Sequence, residues 1–123
     1  MTTTIAWLLL AAALLPWVAA ILAKAGGEGF DNREPRAWLA RQTGHRARAN
    51  AAQANLFEGL PFFYAAVLFA LYNQADTRLV VGLMLAWIAA RGVYIAAYLA
   101  NLGGLRSLVW TAALVLNVAI LFV

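Results

Sequence analysis

The sequence predicts an all-α integral membrane protein, an up-down bundle of four helices, and three observations lead to this fold. The 123 residues are 65% hydrophobic and 11% charged, whereas soluble domains have roughly 45–50% and about 25%. Four apolar stretches are long enough, at about 1.5 Å per helical residue, to cross a hydrocarbon core of about 30 Å. Short connections between the later stretches force neighbouring helices to run antiparallel. A chain of this length forms one domain, residues 1–123.

The first predicted transmembrane span covers approximately residues 2–23 and contains no charged side chain. A cleaved signal peptide is the alternative, but it has a positively charged start and a short apolar core. This stretch instead begins with uncharged threonines, and its apolar run is long. We therefore interpret it as a membrane helix.

Three further spans are predicted at approximately residues 50–72, 77–100 and 104–123. The connection at 73–76 is a turn whose last residue, Asp76, can cap the following helix. The connection at 101–104 contains two glycines and is expected to end the third span.

The first connection, residues 24–49, is longer and basic. Proline at position 35 suits the first turn of a short interfacial helix, with Trp38 at the depth of the lipid headgroups. The positive-inside rule places this loop in the cytoplasm, with Arg106 on the same side and both termini on the opposite side. The basic residues of the loop are Lys24, Arg33, Arg36, Arg41, Arg46 and Arg48.

Composition also excludes several classes of function. The chain has no cysteine, which excludes thiol catalysis and metal sites held by thiolates. His45 has no second histidine or carboxylate at metal-ligand spacing, so no metal site is expected. The net charge of +4 lies mostly in one loop, which suits membrane lipids or an anionic ligand, whereas nucleic acid is not expected as a partner.

Polar side chains within the predicted spans indicate where function lies, because a charge at bilayer depth is costly unless it faces protein or water. Helical spacing groups them into two stripes, one on the second span and one on the third. These stripes are Arg48, Asn55 and Glu58, and Arg91, Tyr94 and Tyr98.

Both stripes lie at similar depth. Glu58 and Arg91 are roughly 12 Å and 14 Å from the cytoplasmic ends of their spans, at about 1.5 Å per residue. An ion pair between them is therefore allowed. Such a pair would merely neutralise two buried charges, whereas a polar cavity open to the cytoplasm would bind a ligand, and the additional polar residues favour the cavity.

Other residues in the spans have simpler interpretations. Asn117 is expected to make a hydrogen bond between helices. Trp7, Trp17, Trp87 and Trp110 are expected to be interfacial or packing residues rather than platforms for stacking a ligand.

The residues of the second span resemble a known family. They read Arg48-Ala-Asn-Ala-Ala-Gln-Ala-Asn55-Leu-Phe-Glu58, followed by Pro-Phe-Phe at 61–63. With four spans, a basic first loop, the third-span stripe and Arg106-Ser107, this pattern is similar to that of the MAPEG superfamily, the membrane-associated proteins in eicosanoid and glutathione metabolism. The resemblance covers nearly the whole chain. It implies a homotrimer that holds glutathione in a cleft between subunits, open to the cytoplasm.

The resemblance also implies roles for individual residues. Arg106 would stabilise the glutathione thiolate as the catalytic arginine, and Ser107 beside it can donate a hydrogen bond to the same sulfur. An alternative for Arg106 is an interfacial anchor that reaches the lipid phosphates. The residues that would bind glutathione are Arg48, Asn55, Glu58, Arg91, Tyr94 and Tyr98. The sequence departs from the pattern at Ala51, where glutathione-using members carry an arginine. Either Arg48 one turn earlier substitutes for it, or the chain resembles the bacterial-like branch of the family, whose substrates are poorly defined and whose pattern is similar to Asp31-Asn32-Arg33-x-Pro35-Arg36.

Three functions follow from these observations. The first is a transferase or peroxidase that acts on lipophilic electrophiles with a thiol cosubstrate, glutathione. The second is a non-catalytic lipid-binding or scaffold protein, for which Ala51 is the best argument. The third is a small multidrug exporter in which Glu58 alternates between a proton and an organic cation.

Overall fold

The computed structural model describes residues 1–123 and contains helices only, which confirms the predicted fold class. Four of its five helices are long and apolar enough to cross a membrane, and the second in chain order is a short one. The helices are α1 (Thr2–Lys24), α2 (Pro35–Ala40), α3 (Gly44–Tyr72), α4 (Thr77–Leu99) and α5 (Gly103–Phe122).

The two central helices of the bundle are α3 and α4, which pack against each other. Helix α1 packs against both of them, and so does α5. The outer helices have no extensive contact with each other, so they lie on opposite sides of the central pair. Each outer helix consequently leaves a broad apolar face uncovered, with Trp7 on α1 and Leu108 on α5 both 66% exposed.

The connections confirm one predicted cap and revise another. The Asp76 carboxylate accepts a hydrogen bond from the backbone N–H of Arg78 at 2.9 Å and caps α4, as predicted. Helix α4 is ended by Asn101, not by the glycines that follow it, because Asn101 adopts the left-handed conformation at φ 60°. Asparagine tolerates this conformation better than most residues. The glycines at 103–104 form the first turn of α5.

Helix α3 begins at Gly44, earlier than the span predicted from residue 50. Its first turns therefore include two arginines of the basic connection. Arg46 Nη1 donates to the carbonyl of Ala23 at 3.1 Å, which satisfies a carbonyl at the end of α1 that has no partner within the helix. The sequence predicts a charged loop up to residue 49, but residues 44–49 are helical in the structure and are held there by contacts with other helices.

Trp38, which was predicted at the depth of the lipid headgroups, is buried within the protein and does not face its surroundings. Its side chain is 3% exposed and packs with Leu39, Ala23 and Ala49. The indole N–H donates to the carbonyl of Glu28 at 3.1 Å, so its polar atom is satisfied within the protein. Because Trp38 packs against α1 and α3, it holds the basic connection (residues 24–49) against the bundle.

The main core lies between the four long helices. Its centre is the stacked pair of Phe63 on α3 and Trp87 on α4, whose ring centroids are 3.9 Å apart. A smaller cluster around Leu56, Tyr94 and Ile95 continues the packing toward the basic end of the bundle. Polar residues of the candidate site adjoin this second cluster.

Candidate functional site

Two tyrosines on α4 lie between two arginines, one on α4 and one on α5. The Arg91 guanidinium lies 4.6 Å from the centroid of the Tyr94 ring, and the Tyr94 and Tyr98 rings meet edge to face at 5.7 Å. The guanidinium of Arg106, from α5, lies 4.5 Å from the centroid of the Tyr98 ring. Helical spacing aligns the first three residues, and packing of α5 on α4 adds the fourth. These four residues are called the arginine–tyrosine ladder below.

Arg91 is the most deeply buried charged residue of the ladder, with 2% of its surface exposed. Its Nη2 donates to the side-chain oxygen of Asn55 at 2.9 Å and to the backbone carbonyl of the same residue at 3.1 Å. Gly59, one turn along α3, provides the space, because a Cβ at this position would lie 3.2 Å from Nη2. The two predicted polar stripes therefore meet through Asn55.

Glu58 does not form the ion pair with Arg91 that the sequence allowed. The only salt bridge in the structure joins Asp31 and Arg33 in the basic connection. Arg91 points into the bundle toward Asn55, whereas the Glu58 side chain is exposed at the rim of a cavity. Equal depth along two helices does not guarantee that two side chains point toward each other.

Arg48 lies outside the ladder and binds the end of α4. Its Nε and Nη2 donate to the carbonyl of Leu99 at 3.3 and 3.1 Å. This contact places a positive charge at the C-terminal end of a helix, where it is favourable. The Nη1 group makes no hydrogen bond to protein, so one face of the guanidinium can still bind a ligand.

The first of two cavities in this region has a volume of about 450 Å³ and lies along α4 and α5. It brings together both predicted catalytic residues and two of the predicted binding residues. Its lining consists of Tyr94, Tyr98, Arg106, Ser107, Trp110 and Thr111. We call this space the ladder cavity.

Arg106 is the distinctive group of the ladder cavity. Its side chain donates no hydrogen bond to protein and forms no ion pair, and its only polar contact is with the Tyr98 ring. The adjacent Ser107 is exposed, and its hydroxyl makes no hydrogen bond to protein. A cation and a hydroxyl are thus both available to a ligand in this cavity.

The second cavity lies between α3, α4 and α5 and has a volume of about 190 Å³. Three predicted binding residues, Asn55, Glu58 and Arg91, contribute to its lining, and Trp110 lies on the wall of both cavities. We call this space the inner cavity. The predicted site residues are therefore divided between two adjacent cavities, and Arg48 lies in neither.

Sequence reasoning missed several lining residues. Trp87 and Trp110 were expected only to pack or to lie at the interface, and Gly59 carries no chemical signal of its own. Asn117 was expected to bond to another helix, but its side-chain oxygen is buried and has no hydrogen-bond partner. The one available signal was the polar side chain of Asn117 itself, in the middle of an apolar span.

Comparison with known proteins gives one match. The model of the MAPEG family matches residues 4–123, which is essentially the whole chain. No curated protein and no solved structure matches the chain.

Proposed function

We propose that this chain, which belongs to the MAPEG family, is an enzyme that activates the thiol of glutathione for attack on lipophilic electrophiles in the membrane. The reaction is either transfer of glutathione to the electrophile or reduction of a peroxide by it. Family membership supports a membrane protein of glutathione and eicosanoid metabolism. The specific activity rests on the chemistry of the ladder cavity.

The observation that carries the proposal is the unpaired guanidinium of Arg106, 4.5 Å from the Tyr98 ring and next to a free Ser107 hydroxyl. A guanidinium stays protonated in any protein environment. The aromatic ring orients it without neutralising its charge, whereas a carboxylate partner would cancel that charge. Arg106 is therefore a fixed cation facing a cavity.

Such a cation changes the chemistry of a bound thiol. A free thiol with a pKa near 8.5 is only a few per cent thiolate at pH 7. A positive charge within about 4 to 6 Å favours the ionised form. In the proposed transfer, the thiol proton leaves to solvent, Arg106 and Ser107 stabilise the thiolate, and its sulfur bonds to a carbon of the electrophile as that carbon's bond to a leaving group breaks. In the proposed peroxide reduction, the thiolate sulfur attacks a peroxide oxygen, the O–O bond breaks, the alkoxide takes a proton from solvent, and a second glutathione converts the resulting sulfenic acid to the disulfide and water.

The rest of glutathione requires partners for its two carboxylates and its amine. Arg48 offers Nη1 to a carboxylate, and the exposed Glu58 offers a carboxylate to the amine. Asn55 keeps its amide nitrogen free while its oxygen binds Arg91. Because Ala51 lacks the expected guanidinium, we expect weak binding, saturating only at high glutathione concentration.

The lipophilic substrate would reach the site through the bilayer. The helices present apolar side chains outward, including Trp110, which lines the ladder cavity and is 42% exposed, and Leu108 on the same helix, which is 66% exposed. A substrate dissolved in hydrocarbon can therefore approach α5 laterally, while the anionic cosubstrate arrives from water at the basic end.

The test compares Arg106→Ala with the wild-type protein in detergent. We expect Arg106→Ala to lose the ultraviolet thiolate absorbance of bound glutathione near neutral pH, while the thermal shift produced by S-methylglutathione stays unchanged. Arg78→Ala is the matched control, because it removes an exposed arginine at the opposite end of the bundle.

Two outcomes would refute the proposed role. Full thiolate absorbance in Arg106→Ala would show that Arg106 is only an interfacial anchor. Absence of any thermal shift in the wild-type protein when glutathione is titrated to tens of millimolar would favour the scaffold or the exporter, because a ligand at a concentration equal to its Kd already stabilises the folded state by about 0.4 kcal/mol. For the exporter, Glu58→Gln would keep the fold and abolish drug resistance in cells.

We further propose that the chain assembles as a homotrimer with its basic end in the cytoplasm and both termini on the opposite side. Light scattering of the purified protein, corrected for detergent, measures the oligomer. Because the chain has no cysteine of its own, a single introduced cysteine can report on which side of the membrane a residue lies. An impermeant maleimide added to intact cells should label Asn73→Cys but not Asn32→Cys, and the reverse pattern would contradict the proposed orientation.

A further inference from the structure

We propose that a groove between α1, α2 and α3, at the basic end of the bundle, binds one anionic phospholipid whose headgroup carries a hydroxyl group. The polar part of the groove is a cavity of about 600 Å³, whose polar lining residues are Lys24, Arg36, Asn50 and Gln53. The apolar part is an adjoining cavity of about 320 Å³, and Trp17 and Lys24 lie on the wall of both. We call the two cavities together the lipid groove. None of the residues proposed to bind glutathione or to activate its thiol lines it.

The basic connection forms one wall of the lipid groove because it packs back on the bundle. The buried Trp38 holds α2 against α1 and α3, and Arg46 donates to the carbonyl of Ala23 near the end of α1. Arg36, on the same short helix as Trp38, stays exposed and lines the groove. The fold thus places two cations from separate helices, Lys24 of α1 and Arg36 of α2, around one space.

The charges of the lipid groove select an anionic occupant. No carboxylate lines either cavity, and neither Lys24 nor Arg36 forms an ion pair. The Lys24 ammonium lies 6.0 Å from the centroid of the Phe30 ring, a contact that does not neutralise its charge. A phosphodiester supplies the missing counter-charge and accepts charge-assisted hydrogen bonds from both cations. The amide of Asn50, on the same wall, offers a further donor.

Gln53 narrows the choice of headgroup. Its side-chain oxygen is buried and has no hydrogen-bond partner, which is costly unless an occupant supplies a donor. A phosphodiester has acceptors only, so the donor must come from the rest of the headgroup. An ethanolamine group would bring a second cation beside Lys24 and Arg36, and a choline group has no donor. A hydroxyl group, as in phosphatidylglycerol, donates a hydrogen bond without adding positive charge.

The depth of the apolar part indicates a lipid rather than a soluble anion or an acidic peptide. Trp17 lies seven residues before Lys24 on α1, which is roughly 10 Å at about 1.5 Å per residue. Trp17 and Ile21 are 57% and 64% exposed. The rings of Trp17 and Phe57 meet edge to face at 5.8 Å, which joins α1 to α3 at the base of the groove. From the cations inward, the groove therefore has the order of a phospholipid, a phosphate followed by acyl chain.

The test measures quenching of tryptophan fluorescence by brominated phospholipids in the reconstituted full-length protein. The vesicles are dioleoyl phosphatidylcholine with a rising fraction of phosphatidylglycerol brominated at the middle of its acyl chains, where bromine quenches a neighbouring tryptophan. We expect a saturable component at a low fraction of this lipid, and no such component with brominated phosphatidylcholine. Trp17→Phe should remove the component, because the other four tryptophans do not line the lipid groove.

The two cations are tested against a matched charge. Lys24→Ala and Arg36→Ala should each lower the apparent affinity for phosphatidylglycerol about fivefold, the factor that corresponds to about 1 kcal/mol for each basic residue at a membrane surface. Arg41→Ala is the control, because it removes the same charge from the same connection but lines neither cavity. It should leave the affinity unchanged, whereas a general effect of net charge would lower it equally.

The hydroxyl group is tested with brominated phosphatidylmethanol, which has the same phosphodiester charge and no hydroxyl. The wild-type protein should bind it several-fold more weakly than phosphatidylglycerol, and Gln53→Leu should bind both lipids with equal affinity. In phosphatidylcholine alone, the thermal stability of Gln53→Leu should not fall, because the oxygen that it removes has no partner to lose. A fall in stability would show that Gln53 serves the fold and not the lipid.

Several results would overturn the proposal. They are a saturable component with brominated phosphatidylcholine, an equal loss of affinity in Arg41→Ala and Arg36→Ala, and a retained preference for phosphatidylglycerol in Gln53→Leu. Two soluble competitors complete the test, and neither should relieve the quenching. Displacement by glycerol phosphate would reveal a site for a soluble phosphate, and displacement by glutathione would show that the groove belongs to the thiol site.

Discussion

The partner of Arg91 can be identified by measuring the free energy of unfolding of four variants, Asn55→Ala, Glu58→Ala, Arg91→Met and the double variant Asn55→Ala/Arg91→Met. In the structure, the Nη2 group binds the Asn55 side chain at 2.9 Å and the Asn55 backbone carbonyl at 3.1 Å, and Glu58 forms no salt bridge. Asn55→Ala removes only the first of these bonds. Loss of a hydrogen bond to a charged group costs about 1.5–3 kcal/mol, and we expect that loss here.

Glu58→Ala is the informative comparison, since an exposed residue without a partner should change stability by no more than about 0.5 kcal/mol. The sequence alone allowed an ion pair, and breaking a buried ion pair would cost about 3–5 kcal/mol. The loss of stability caused by Glu58→Ala therefore differs several-fold between an exposed Glu58 and a Glu58 paired with Arg91.

The double variant Asn55→Ala/Arg91→Met completes a thermodynamic cycle. Removing the cation also removes its need for a partner, so we expect Asn55→Ala to cost much less in the Arg91→Met background, with a coupling energy of about 1.5–3 kcal/mol. The assay is reversible unfolding in mixed detergent micelles, followed by tryptophan fluorescence. If Glu58→Ala is as damaging as Asn55→Ala, or if the coupling is zero, the assignment of Asn55 as the partner is wrong.

Other substitutions test local packing, each by the same unfolding assay. Gly27→Ala should destabilise the protein by about 1–3 kcal/mol, because its Cβ would overlap the buried Trp38 ring. Gly82→Ala is the comparison: its Cβ meets no atom within 4 Å, so it should stabilise α4 by up to about 1 kcal/mol. Equal effects of the two substitutions on stability would contradict this account of the packing around Gly27. Asp76→Ala removes the cap of α4 and should cost about 1 kcal/mol, and Asp76→Asn should retain most of that stability. Tyr64→Phe removes a bond to a carbonyl of α1 at 2.8 Å and should cost about 0.5–1.5 kcal/mol; no loss would show that water replaces the bond.

The helices were the most predictable feature of this chain. Apolar length sets a membrane helix, and turn residues such as Asp76 mark helix ends through local hydrogen bonds. Both signals are contained in a few consecutive residues. The early start of α3 was not predictable in this way, because Arg46 and Arg48 are charged, and their helical conformation is supported by carbonyls of α1 and α4.

The polar stripes were predictable as stripes, since helical spacing alone aligns Arg91 with Tyr94 and Tyr98. Their partners on other helices were not. Rotation of α3 about its axis decides whether Asn55 or Glu58 faces Arg91, and no periodicity in the sequence records that rotation. The family resemblance, carried by the second-span pattern, was confirmed by the match over residues 4–123.

The sequence by itself determined that the chain is a four-helix membrane bundle with polar residues on its second and third spans, because hydrophobic length and helical period are local properties. Only the tertiary structure decided that Arg106 stays unpaired over Tyr98 and that Trp87 and Asn117 line a cavity beside Arg91. These relations join residues on different helices. They depend on how ridges and grooves fit when helices pack, which the order of residues along one helix does not specify.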